Sequence, residues 1–423
     1  MRRVAKEGLI VGAGQALGIF GRFATLWWLT RILEPGAFWE VALIQGVAAL
    51  GYGVLCGALL QAGLRFHAEA LNDGHEHSLR RLLRPLVMRS AWITFGVLAA
   101  GMLVWKLAIG SAVSPWALVF GLLVVVPDAA RMYEVNALNA VRRQSASVSW
   151  NAADALARPI GAAVAVAIAG ATAPVVLVGF LVAAVLVNVV GVRAIGLSTS
   201  ESAGTAPAET RTRILRFAAP LMPLALMSWV VGLADRYVLW ATAGAGAAGV
   251  YSAAYGLGSQ GFLALGMLGL TVFRPLYFSA VDARDPVRSR RVLAFWMAAM
   301  ICGSLGGIAI LFVLGGPLAR LCLGPAFQSG AFLLPWIGVA YMLQTLQTVF
   351  EVLLYAKHKT GSLLRVQIAG ASTALVLYAL LIPRYGAFGA VMATMGSFAV
   401  SCTLAALFGD LVGALRAAPA VNS

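Results

Sequence analysis

An all-α, polytopic membrane protein of about twelve transmembrane helices, in two six-helix lobes around a central cavity, is the fold this sequence predicts. Composition is the first reason. Hydrophobic residues make up 61% of the 423 and charged residues 11%, against roughly 45–50% and 25% in a soluble domain, and the mean hydropathy is +0.88. The second is run length: several apolar stretches exceed the roughly 20 residues that cross a ~30 Å hydrocarbon core. The third is that these runs do not alternate apolar and polar residues as barrel strands do, so the spans read as helices.

Hydropathy and the charges between the runs place the spans in order. Span 1 (8–33) follows MRRVAK, and because its run continues past Arg22 to Leu33 with no small-residue cleavage site, it reads as a retained helix rather than a signal peptide. Arg31 and the Glu34-Pro35-Gly36 turn separate it from span 2 (37–64), and Arg65, Arg80, Arg81 and Arg84 precede span 3 (84–108). Lys106 lies before span 4 (115–140), Arg142 and Arg143 before span 5 (147–170), and a short outer turn before span 6 (174–193). The longest connection, STSESAGTAPAETRTR at 198–213, is small and polar and reads as a flexible cytosolic linker. It divides an N-terminal lobe (1–194) from a C-terminal lobe (214–423), with 195–213 as the join.

In the second lobe, small residues separate span 7 (214–242) from span 8 (248–278), and Arg284 to Arg291 precede span 9 (291–316). Arg320 lies before span 10 (328–356), Lys357 and Lys359 before span 11 (361–383), and Arg384 before span 12 (386–410). Six is an even number, so both lobes enter the membrane in the same direction, which suits a parallel repeat.

The formal charge of +15 resembles a nucleic-acid footprint until it is laid on these spans. With the N-terminus in the cytosol, 22 of the 31 basic residues fall in cytosolic segments or at the cytosolic ends of spans and four on the outer side, the other five deeper within spans. That is the positive-inside rule; both termini are expected in the cytosol and no nucleic-acid partner is needed.

Other motifs carry little. Four scattered cysteines have no paired spacing, and His75-Glu76-His77 sits in a polar loop, so neither a metal nor another cofactor is expected. No histidine falls within the twelve ranges, which argues against an intramembrane acyltransferase or hydrolase. Gly256-Leu-Gly258-Ser-Gln-Gly261 matches a dinucleotide fingerprint, but it lies in an apolar run where close helix packing accounts for it, as for Gly14 and Gly18 in span 1.

Charges inside the spans are the informative residues, since each costs roughly 2.5–3.5 kcal/mol at helix centre and so needs a cavity or a partner. Ser147, Asn151, Asp154 and Arg158 share one face of span 5, and Asp128, Arg131, Glu134, Asn139 and Arg142 form a broader stripe on span 4. Span 1 places Gln15 and Arg22 on one side, with no acid near Arg22 beyond Glu7. These three stripes are expected to converge on one polar cavity. In the second lobe Asp235 and Arg236 follow Ser228 on span 7, and Gln344, Gln347, Glu351 and Tyr355 line one side of span 10. Pairing that merely holds helices together is the competing reading for Asp154 with Arg158 and for Asp235 with Arg236.

The run DRYVLWATAGAGAAGVYSAAYGLGS, from Asp235, resembles the Asp-Arg, small-residue turn, Gly-x-Tyr-Ser-x-Ala-Tyr signature of Wzx-type polysaccharide exporters. These belong to the multidrug/oligosaccharidyl-lipid/polysaccharide (MOP) superfamily. TRILEPGAF, VFRPLYFSA and LLIPRYGAFGAVMAT are similar to further stretches of that family, so the resemblance covers almost the whole chain. Glu34 and Trp39 depart from it where glycine is usual. The resemblance implies an inner-membrane flippase, not an enzyme. It would move an undecaprenyl-diphosphate-linked oligosaccharide from the cytosolic to the periplasmic leaflet by alternating access, in O-antigen, capsule or exopolysaccharide synthesis, with polysaccharide polymerase and chain-length proteins as partners.

An anionic diphosphate needs cations and sugars need amides and hydroxyls. The expected substrate contacts are therefore Arg22, Gln15, Arg131, Arg158, Asn151, Arg236, Gln344 and Gln347, with Asp128, Glu134, Asp154, Asp235 and Glu351 as ion-coupling acids. The glycines and tyrosines after Asp235 are expected to form a tight turn and a flexible start to span 8. A multidrug or cation antiporter of the same superfamily is the first alternative, and a membrane-embedded glycan polymerase or ligase the second.

Overall fold

Glycines set how closely the helices approach. The computed structural model describes the chain except residues 1, 73–75, 110–112, 142, 196–207, 358 and 417–423, and except some further side chains, among them those of 2–13 and Gln15. Span 1 is a helix over Arg2–Ile32 and packs on span 5, where a Cβ on Gly21 would lie 2.5 Å from the Ala155 carbonyl oxygen and one on Gly14 would overlap Val148. Gly18 meets nothing within 4 Å, so the contact repeats every seven residues, at Gly14 and Gly21, rather than every four. Spans 5 and 6 touch backbone to backbone at Gly161 and Gly179. Small residues drive such approaches in lipid, where apolar side chains gain nothing by leaving the bilayer.

Among the described residues, nine helical stretches besides span 1 are long and apolar enough to cross a membrane. Two are double: Gly244 (φ 84°) interrupts Leu221–Asp282 and Gly386 (φ 56°) interrupts Thr360–Phe408. Twelve spans result, and the fold is all-α. The turn between spans 7 and 8 is thus a single residue in the left-handed region, where glycine carries no Cβ penalty. Large exposed apolar side chains such as Leu107, Ile168 and Val313 are those of a lipid-facing surface.

Three elements differ from the sequence reading. Span 2 starts at Pro35 and continues through a π-helical segment, Tyr52–Gly57, to Asn72, which brings the buried His67 into its helix. The linker is helical from Ala208, and Ile214 and Ala218 of Ala208–Ala218 are buried with Phe66 and Leu83. Their apolar side chains outweigh the polar residues before them. Span 10 opens with a 3-10 segment, Pro325–Leu333, before its α-helix at Leu334.

The chain forms two compact units, Met1–Trp229 and Val230–Ser423, so the boundary falls within span 7. In the first, Trp229 donates its indole N–H to the Gly46 carbonyl at 2.8 Å. In the second, Tyr378 of span 11 donates to the Val231 carbonyl at 3.0 Å and lies 3.3 Å from the Thr394 hydroxyl, tying three spans together.

Candidate functional site

In the first unit the predicted stripes on spans 4 and 5 meet. Arg131 lies 3.4 Å from Asp128 and 3.3 Å from Asp154, and it donates to the Asn151 side-chain oxygen. Arg158 pairs with Asp154 at 3.0 Å, one turn away on its own helix, and with Asp128 across to span 4. Two guanidiniums and two carboxylates therefore form a neutral quartet, in which every cation touches both anions. Tyr52, in the π-helical segment of span 2, is near enough to interact electrostatically with Asp128 and Arg131. π-Helical segments re-aim side chains and recur at functional sites.

The rest of the span 4 stripe turns elsewhere. The helix of span 3 begins earlier than its apolar run, at Glu76, and its Arg80 donates to Glu134 at 2.7 Å; Arg84 lies 3.6 Å from the same carboxylate, while Asn139 is exposed and Arg142 is outside the described residues. Arg22 is exposed on its helix, with no ion-pair partner among the described residues. It sits ten residues before Ile32, about 15 Å at 1.5 Å per residue. Gln15 has no described side chain.

A second polar cluster fills the interior of the second unit. Asp235 is fully buried; it accepts the Tyr251 hydroxyl and, at 2.8 Å, the backbone N–H of Arg236. The guanidinium of Arg236 lies 4.6 Å from the centre of the Tyr255 ring, a cation–π contact. Tyr255 in turn packs on Tyr251 and Tyr341, both with ring centroids at 5.6 Å. The tyrosines expected as a flexible start to span 8 are thus buried anchors: a carboxylate in an apolar interior requires donors, and Tyr251 supplies one. Sequence reasoning missed this partner, sixteen residues from Asp235 and beyond a helix break.

On span 10, Gln347 donates to Glu351 at 2.8 Å, and Gln367 of span 11 donates to the same oxygen at 3.0 Å. Among the described residues Glu351 is held by amides and has no cation on it. Gln344 is partly buried, with its backbone carbonyl accepting the Thr348 hydroxyl at 3.0 Å. The decoy glycine motif is continuous helix, and Gly258 packs against Ile337 of span 10.

No protein-family model matches the chain, and no curated protein matches it. Solved structures do. An inward-facing multidrug resistance MATE family transporter of the MOP superfamily superposes with a TM-score of 0.68 at 12% identity, covering 95% of each chain. The lipid II flippase MurJ, in an inward closed conformation, gives 0.66 at 12% identity over 97% of this chain and 90% of its own. A MOP superfamily transporter from Pyrococcus furiosus, described as having a binding pocket of reverse polarity that suggests a different function, gives 0.60 at 13% identity over 98% and 96%. The chain therefore has the fold of MOP superfamily transporters.

Proposed function

We propose that this chain is a bacterial inner-membrane flippase, with cytosolic termini, that moves an undecaprenyl-diphosphate-linked oligosaccharide to the periplasmic leaflet for surface polysaccharide synthesis. The observation that carries this reading is Arg22. A cation at that depth is costly without an anion, and no acid pairs with it among the described residues, so a diphosphate headgroup meets its need. Fold likeness to a lipid flippase supports the reading; the Wzx-like signature at Asp235 adds the glycan. Arg131 and Arg158 are already neutralised by Asp128 and Asp154, so their role toward substrate requires those acids to let go as the carrier changes state.

Driving force follows from charge. Each negative charge leaving a negative cytosol gains about 2.3 kcal/mol per 100 mV, so voltage suffices without a coupled ion. Among the acids, Glu351 suits ion coupling best, because Asp128, Asp154 and Glu134 each have an arginine and Asp235 has a tyrosine and a backbone donor. That same carboxylate, with no cation on it among the described residues, favours the second reading, a cation or multidrug antiporter.

Export assays on Arg22 separate the two. Arg22→Ala is expected to abolish glycan export at normal protein level, while Arg22→Lys keeps part of it, because lysine retains the charge but not the bidentate fork. Full export by the alanine variant removes Arg22 from the site.

A further inference from the structure

A groove of about 340 Å³ opens between spans 3, 4 and 6 of the first unit, and it shares no residue with the charge quartet. Its polar lining is Arg84, Tyr133, Glu134, Asn188 and Arg193, and its apolar wall includes Met88 and Val192. Charge across it is unbalanced. Glu134 already accepts from Arg80 at 2.7 Å, and Arg84 reaches it only at 3.6 Å with a side chain 49% exposed. Arg193 is exposed and has no ion-pair partner among the described residues. Two guanidiniums, those of Arg84 and Arg193, thus line the groove with a single carboxylate that Arg80 already holds.

Depth and wall point to the occupant. Arg84 lies eight residues into the helix Glu76–Ile109, and Arg193 two residues from the end of Ala173–Ile195. Arg84 opens the apolar run of span 3 and Arg193 closes that of span 6, so both stand at the edge of the hydrocarbon core, where lipid headgroups begin. Beyond Arg193 the groove side of span 6 continues as Val192 and Val189, both exposed and apolar. Asn188 spends its amide hydrogens on the Pro127 and Ala184 carbonyls, at 2.8 and 2.9 Å, which leaves its side-chain oxygen to accept a hydroxyl. Basic pockets between transmembrane helices bind anionic lipid headgroups in this way.

We propose that the groove binds one anionic glycerophospholipid of the surrounding leaflet, its phosphate between Arg84 and Arg193 and an acyl chain along Met88, Val189 and Val192. The site is independent of the solute carried and of Arg22. A free phosphate would leave the apolar wall uncovered; a lipid uses both.

Native mass spectrometry of the detergent-solubilised full chain tests this with phosphatidylglycerol, phosphatidylcholine and inorganic phosphate as probes. One phosphatidylglycerol is expected to be retained where phosphatidylcholine is not. Each arginine near an anionic headgroup contributes roughly fivefold, so Arg193→Gln should weaken retention about fivefold and the double variant with Arg84→Gln about 25-fold. Arg193→Lys should keep most of it. Arg320→Gln, in the last turn of the helix Pro286–Cys322 of the second unit, should change nothing. Should the double variant fold poorly, Arg193→Gln alone decides, since that side chain is exposed. Equal retention of the two lipids, retention indifferent to Arg193→Gln, or displacement of the lipid by millimolar phosphate would each overturn the proposal.

Discussion

Asp154→Asn perturbs the quartet in the most readable way. Arg131 and Arg158 each touch both aspartates, and their side chains are 10% and 19% exposed, so removing one carboxylate leaves two buried cations on one anion. Breaking a buried pair costs roughly 3–5 kcal/mol; with Asp128 still in place the lower end applies, about 3 kcal/mol. Arg158→Gln leaves the opposite imbalance at similar cost. The double variant is neutral again, so the two losses should fall short of adding by roughly 2 kcal/mol. Thermal unfolding of the four proteins in one detergent reads this as a double-mutant cycle. Additive losses, or single variants within about 0.5 kcal/mol of the parent, would mean that water already solvates these charges.

Gly21→Ala places a Cβ 2.5 Å from a backbone oxygen of span 5 and should lower stability by about 1–3 kcal/mol, whereas Gly18→Ala, with nothing within 4 Å, should be near neutral; equal melting of the two would remove the seven-residue contact. Tyr251→Phe leaves Asp235 without its side-chain donor in a fully buried site and should cost about 1–3 kcal/mol, read in the same melts; an unchanged midpoint would show that Asp235 does not depend on that hydroxyl.

Hydropathy made the membrane helices legible because burial in lipid depends on run length, and the break at Gly244 fell within the small-residue stretch that suggested it. Spacing also made one edge of the site legible: Asp154 and Arg158 lie one turn apart on the same helix, and they pair. Which faces meet is a different question. Nothing in the spacing assigns Arg131 to Asn151 or Glu134 to Arg80, because helical periodicity gives each helix a polar side without its partner. Tyr251 escaped notice for a related reason: a tyrosine scores as a mild apolar residue, while its hydroxyl is what a buried carboxylate needs. The π-helical segment at Tyr52–Gly57 shifts the backbone register and leaves hydropathy unchanged; glycines at 51, 53 and 57 are its one trace in the sequence. Composition concealed the last residues of the linker: 208–213 open a helix that docks by Ile214 and Ala218, while 196–207 lie outside the described residues.

Flipping by purified protein in proteoliposomes tests the central claim most directly. A labelled undecaprenyl-diphosphate oligosaccharide is placed in the leaflet that stands for the cytosol, an inside-negative potential is imposed without proton or sodium gradients, and arrival in the other leaflet is followed by its loss of protection. Protein-dependent transfer that rises with voltage and disappears in Arg22→Ala is the predicted result. No transfer of the lipid, together with proton- or sodium-driven uptake of an organic cation by the same vesicles, would contradict the account and establish the antiporter reading in its place.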